Sequence, residues 1–321
     1  MRFVLMIEPQ QGLSYSDQLA VARHAEAAGF DALYRSDHYE SFPGPADRPT
    51  TDAWAIIAGL ARETSRIRLG ALVSPVTYRA PGNLAKVVTT IDDMSGGRID
   101  IGLGAGWHEE EHQRYGFPFP PIGDRAQMLE EQLEILDGLW NGPDGWSFEG
   151  RFWSVADARL RPKPARKLHL ILGGQGSPRS MRLAARFADE FNLSAATPEQ
   201  AVERYAQLDD TCRAAGRDPS SIRRSVMAAT FVGSDDAEVR RRMAAFHDLV
   251  AADRSPTAEP ETADEWFEDH RNRAVIGTPD EALAMVRRYA EAGAERIMLQ
   301  DFIPWDLDMI DLLGREVVGR V

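Results

Sequence analysis

Short apolar runs alternate with amphipathic stretches along the whole chain. Phe3 to Ile7 is continuously apolar and closed by Glu8-Pro9, the pattern of a strand buried on both faces. Ser16 to Ala28, stopped by Gly29, carries helical periodicity, and glycine just past the last turn is a common helix stop. The same reading predicts strands over Asp31 to Ser36, Ile67 to Val73, Arg98 to Leu103, His169 to Leu172, Glu190 to Ser194, Arg224 to Val232 and Arg296 to Gln300. Helices are expected over Asp52 to Glu63, Pro81 to Met94, Arg125 to Trp140, Pro178 to Ala188, Pro198 to Ala215, Asp235 to Ala252, Pro279 to Ala292 and Leu307 to Val318. Eight strand-then-helix units in a chain of this length predict an α/β fold, a (β/α)8 TIM barrel forming one domain over residues 1–321. A doubly wound open sheet is the rival, but nothing marks a topological switch. Two insertions interrupt the alternation. One, after strand four, carries Pro118, Pro120, Pro121 and Pro143; the other, after strand seven, is the polar stretch Arg254 to Asp269, expected to be mobile.

Charge then narrows the partner. A formal net charge of -13 on 321 residues argues against nucleic acid or an anionic membrane, since both reward clustered cations. A small-molecule partner is expected. The apolar run at the start is too short for a signal peptide or a membrane span, and Cys212 has no second cysteine to pair with. A cytoplasmic location follows as the expectation.

Barrel active sites lie where strands end, so the residues after each predicted strand are the candidates. Glu8 to Gln11 follow strand one; Ser36, Asp37, His38 and Tyr39 follow strand two. Strand four runs into Gly104-Ala105-Gly106-Trp107, and strand five into Gly173-Gly174-Gln175-Gly176-Ser177. Glycines let a flat ligand approach the backbone closely. Gly102-Leu-Gly-Ala-Gly106 is not a dinucleotide fingerprint, because Trp107 stands in place of a third glycine. Gly173 to Ser177, ahead of a helix entered through Pro178, suits a phosphate, with Arg179 as an added charge. Asp37-His38 is the sharpest titratable pair: an imidazole can carry a proton near neutral pH, and a neighbouring carboxylate can orient it. His108-Glu109-Glu110-Glu111-His112 matches the H-E-x-x-H zinc pattern, but it lacks the preceding apolar helix and the third-ligand extension. It reads as a solvated charged turn, and no metal is expected. Trp140, Trp146, Phe148 and Trp153 read as packing for the first insertion.

Several segments, in this order, carry a resemblance: Ala27-Ala-Gly-Phe-Asp31, Ser36-Asp-His38, Glu63-Thr-Ser-Arg-Ile-Arg-Leu-Gly70, Ser95-Gly-Gly-Arg98, Gly102-Leu-Gly-Ala-Gly-Trp107, Leu129-Glu-Glu-Gln-Leu133, Leu172-Gly-Gly174 and Gly277-Thr-Pro279. The chain resembles the bacterial luciferase-like superfamily and, within it, the oxidoreductases that use the deazaflavin coenzyme F420. The resemblance implies hydride transfer between F420 and a small organic substrate, with His38 carrying the proton. It further implies a non-prolyl cis peptide at Ala71-Leu72 under the ring, Asp37 and the Gly104-Ala105-Gly106 loop at the ring's pyrimidine edge, and Gly174 to Ser177 at the phosphate. Members that oxidise glucose 6-phosphate carry Glu where this chain has Trp107, so Trp107 and Tyr39 at the mouth favour an apolar or aromatic substrate instead. An FMN-dependent monooxygenase, fed reduced flavin by a separate reductase, is the alternative. A homodimer through the helices after strands two and three is a further expectation of the resemblance.

Overall fold

A computed structural model describes residues 1–43, 47–251 and 263–321. In chain order its strands are β1 (Arg2–Ile7), β2 (Ala32–Arg35), β3 (Arg68–Pro75), β4 (Ile99–Gly104), β5 (Trp146–Glu149), β6 (Ser154–Ala158), β7 (His169–Gly174), β8 (Glu190–Ser194), β9 (Arg223–Val232), β10 (Val275–Gly277) and β11 (Arg296–Asp301). Its helices are α1 (Tyr15–Ala27), α2 (Ala53–Glu63), α3 (Pro81–Ser95), α4 (Glu109–Tyr115), α5 (Ile122–Asn141), α6 (Pro178–Phe187), α7 (Pro198–Ala214), α8 (Asp236–Ala251), α9 (Ala263–His270), α10 (Pro279–Glu291) and α11 (Leu307–Glu316).

Eight parallel strands, in the order β9-β11-β1-β2-β3-β4-β7-β8, close into a barrel through a β8–β9 pairing, and β10 adds to the outer edge of β9. The eight predicted strands are these eight. Helix starts follow their capping chemistry: Ser14 with Asp17, Thr197 with Gln200 and Thr278 with Glu281 form reciprocal capping boxes, and Asp52 caps α2. Gly96, at φ 68°, ends α3 in the left-handed conformation that glycine adopts without a Cβ clash.

Two apolar layers result from strand alternation. Phe3, Leu5, Leu33, Leu69, Ile99, Ile101 and Phe191 pack outward against the helices, while Val4, Met6, Ala32, Tyr34, Leu72, Ile171 and Met298 fill the barrel interior. The lower interior, near the strand starts, is ionic. Glu190 Oε2 accepts from Arg296 Nη1 at 2.9 Å and lies 2.8 Å from His169 Nε2; Arg296 Nη1 also donates to the Tyr34 hydroxyl at 2.9 Å, which in turn donates to Asp100, the partner of Arg68. These charges fix the closed floor of the barrel and leave the opposite end to ligands.

The first insertion is more ordered than its prolines predict. It holds α4, a longer α5, and the antiparallel β5–β6 hairpin, whose Trp146 and Phe148 rings stack at 6.0 Å against the main core. In the second, the polar composition hides α9, which is anchored by the buried ring of Phe267 against Phe231 at 4.8 Å. The rest of that expected mobile stretch, residues 254–262, lies outside the described residues.

Candidate functional site

A cavity of about 850 Å³ opens where the barrel strands end, within the size range of small-molecule sites. Its floor is Met6, Leu72 and Met227, and the Gly104–Gly106 and Gly173–Gln175 loops form one side. β3 continues past its predicted end to Pro75, and its register against β4 slips between Ala71 and Ser74. The non-prolyl cis peptide lies in that slip, at Leu72–Val73 rather than at Ala71–Leu72. The bulge pushes Val73 toward β4, where only glycine fits: a Cβ at Gly104 would sit 2.7 Å from Val73 Cγ2, and one at Gly102 only 2.6 Å from the Ala71 carbonyl oxygen. The outcome is a wall of bare backbone and short side chains suited to the face or edge of a flat ring. Gly104→Ala is expected to cost about 1–3 kcal/mol of stability and to weaken binding of a ring ligand at this wall, as read by thermal unfolding and by ligand titration.

His38 stands beside this wall, lining the cavity. Its Nδ1 lies 2.8 Å from Glu111 Oε1, and the second carboxylate oxygen accepts from the Tyr39 backbone N–H at 2.9 Å. Glu111 is buried, which alone would raise its pKa, but the hydrogen bond and charge of His38 and the Tyr39 N–H hold it below the usual carboxylate value. An ionised Glu111 fixes the tautomer with hydrogen on Nδ1, and leaves Nε2, which has no partner among the described residues, to act toward the cavity. The Phe42 ring meets His38 edge-on at 4.5 Å, and Trp107 does so at 5.8 Å.

The carboxylate that orients His38 is therefore Glu111 and not Asp37. Side chains alternate at a strand end, so Ser36 and His38 turn to the cavity and Asp37 turns away. Asp37 is buried, accepts from Ser74 Oγ at 2.8 Å, and pairs with Arg79 at 2.5 Å; Arg79 also pairs with Asp52 at 2.6 Å. Tyr39 likewise leaves the mouth: its hydroxyl donates to Asp52 at 2.7 Å, and its ring packs on Tyr78 and Phe117. Both residues brace the β2 and β3 ends from behind. Of the predicted cofactor and substrate contacts, Leu72, Gly104, Ala105, Gly106, Gly173, Gly174, Gln175 and Trp107 line the cavity, while Ala71, Asp37, Gly176 and Ser177 do not. Ala71 faces the outer core. Gly176, at φ 88°, is covered by Arg204, and Ser177 caps α6 by accepting from the Ser180 N–H. Arg179 is turned aside to Glu130 and Gln127.

The His-Glu-Glu-Glu-His run is a helix and not a solvated turn. α4 buries Glu111 and His112, and both His112 nitrogens are engaged, Nδ1 with the His108 carbonyl and Nε2 with Thr77 Oγ1, each at 2.6 Å. Opposite the glycine wall, Glu8, Gln10, Ser36 and Gln300 form a polar face. Trp107 and Ile122, exposed by 64% and 61%, stand at the opening as an apolar lip.

Comparison with known proteins fits this architecture. Residues 1–296 match the luciferase-like monooxygenase family. An F420-dependent glucose-6-phosphate dehydrogenase of Microbacterium testaceum is 29% identical over 309 residues, covering 92% of this chain and 90% of that protein. The pyrimidine monooxygenase RutA of a Bradyrhizobium species is 28% identical over 284 residues, covering 86% of this chain and 77% of its own. Among solved structures, an F420-dependent secondary alcohol dehydrogenase bound to an F420-acetone adduct superposes with a TM-score of 0.82 at 22% identity, covering 98% of each chain. The EDTA monooxygenase of Chelativorans sp. BNC1 gives 0.79 at 20% identity, covering 99% of this chain and 92% of its own. The fold is shared with both structures, and the chain belongs to the luciferase-like monooxygenase family.

Proposed function

We propose that this protein transfers a hydride between coenzyme F420 and a small organic substrate. The observation that carries the reading is the juxtaposition of His38, held through Nδ1 by Glu111, with the glycine wall of β4 and β7. The wall fits a flat ring, because a Cβ at Gly104 would meet Val73 Cγ2 at 2.7 Å and one at Gly173 would meet Val73 Cγ1 at 3.6 Å, narrowing the space beside Val73. Leu72, Val73, Gly104 to Gly106 and Gly173 to Gln175 would hold the ring. Bound there, F420 supplies the carbon that gives or takes the hydride. His38 Nε2 gives or takes the matching proton on the substrate oxygen or nitrogen, while Glu111 keeps the imidazole in the tautomer that can do so. Phe42, Trp107 and Leu72 exclude water around it. The FMN-dependent monooxygenase remains the second reading, favoured by the names of the RutA and EDTA monooxygenase relatives.

Titration of the purified protein with F420 and, separately, FMN, followed by tryptophan fluorescence, separates the two. Trp107 at the opening provides the reporter. F420 is expected to bind the more tightly; tighter FMN binding would overturn the assignment and move the protein to the oxygen-using branch.

A further inference from the structure

The face opposite the glycine wall has a chemistry of its own. We infer that Glu8, held by Gln10 and Gln300, selects the substrate: it takes a neutral or cationic molecule through a hydroxyl, amide N–H or ammonium donor, and rejects carboxylates and phosphates. This rests on the reading above that a flat cofactor occupies the glycine side of the cavity.

Of the described residues lining the cavity, only Glu8 and His38 are ionisable, and none is Lys or Arg. Glu8 is buried at the end of β1, 7% exposed. Its Oε1 accepts from Gln300 Nε2 at 2.6 Å and its Oε2 from Gln10 Nε2 at 3.0 Å; Gln10 Oε1 is in turn satisfied by the Ser36 hydroxyl at 2.6 Å. The chain Ser36 to Gln10 to Glu8 fixes which end of the Gln10 amide faces the carboxylate. Neutral amides hold Glu8, and among the described residues no cation forms an ion pair with it. The buried Arg35 nearby is turned outward, its guanidinium spent on Gln18, Thr51 and the Ser36 carbonyl. A carboxylate oxygen accepts up to two hydrogen bonds, so each Glu8 oxygen keeps capacity for a ligand donor. An anion placed there would meet the Glu8 carboxylate with no Lys or Arg among the described lining residues to receive it.

The strand order places this face correctly. β11, β1 and β2 carry it, β3, β4 and β7 carry the glycine wall, and His38 on the β2 loop stands between them. A substrate lying on the ring would reach Glu8 with a polar substituent and present its apolar part to Phe42 and Trp107. The mouth accordingly favours an apolar body, as Trp107 implies, while the interior requires a donor.

The test uses three probes of matched shape, benzyl alcohol, benzylamine and benzoate, added to protein with and without its bound cofactor and followed by ligand-observed saturation-transfer NMR. The alcohol and the amine are expected to bind at least about tenfold more tightly than benzoate, and Glu8→Gln to narrow the gap to within about threefold. Benzoate binding as well as the alcohol, an unchanged ratio in folded E8Q, or no detectable binding of alcohol and amine would each overturn the inference. The preference is read whichever cofactor binds. A failed F420 titration with intact donor preference would thus sink only the cofactor assignment, and the converse only this one.

Discussion

His38→Ala is expected to lower turnover by roughly 10²–10⁴-fold, the range that a positioned acid or base supplies, while leaving cofactor affinity nearly unchanged. The split follows from the geometry. His38 meets the cavity with a ring edge and an Nε2 that has no partner among the described residues, whereas the ring seat is made by the glycine wall and the β3 bulge. Glu111→Gln tests the same assignment from behind. The amide preserves size and can still accept from the Tyr39 N–H, but it removes the charge 2.8 Å from Nδ1. Without that charge the imidazole loses the partner that fixes its tautomer and orientation, and Nε2 is no longer held ready to act. Turnover falls by about 10–100-fold. A purely structural Glu111 would alter stability and leave the turnover of the folded enzyme unchanged. Stopped-flow reduction or oxidation of the cofactor, with wild type, H38A and E111Q side by side and each checked for folding by thermal unfolding, decides between them.

Glu111 also shows where the sequence stops being legible. The barrel strands and most helices follow from hydrophobic periodicity, because each element buries a definite face and its composition must repeat with it. His38 and the two glycine loops follow from their position after strands. Glu111 is the third of three consecutive glutamates, and such a run carries no apolar period to show which member turns inward; the trajectory of the loop out of β4 decides that. Asp37 is the opposite case. Period-two alternation already separates it from Ser36 and His38, yet adjacency to a histidine outweighs that cue when the pair is read as a chemical motif. The cis peptide moved by one residue for a similar reason. The register slip between Ala71 and Ser74 is a property of β3 against β4, and neither strand alone contains it. The polar composition around α9 conceals a helix whose buried anchor is the ring of Phe267.

The second large effect lies at the closed end of the barrel. Arg296→Met is expected to destabilise the protein by about 3–5 kcal/mol at pH 7, the cost of stranding a buried charge. Arg296 is 1% exposed and bridges Glu190 to the Tyr34 hydroxyl; methionine fills the volume but leaves Glu190 to His169 and the more distant Arg223 at 3.4 Å. The linkage to pH has a definite sign. Burial alone would raise Glu190, but His169 and Arg296 lower it from an ordinary value near 4.5 to about 2. Its stabilising contribution, about 3 kcal/mol, is therefore complete above pH 4.5 and is lost as pH falls from there through 2. Arg296→Met should raise the Glu190 pKa and flatten this acid limb. Asp301 works in the other direction: burial lifts it from 3.8 to about 7, so its ionisation favours the unfolded chain, and stability is lost as pH rises from about 4 through 7. Asp301→Asn should remove that loss, raising the melting temperature at pH 8 but not at pH 4. Urea unfolding of wild type, R296M and D301N between pH 3 and 8 separates the two limbs. A wild-type curve flat from pH 4 to 7, or an R296M variant as stable as wild type at pH 7, would refute the corresponding assignment.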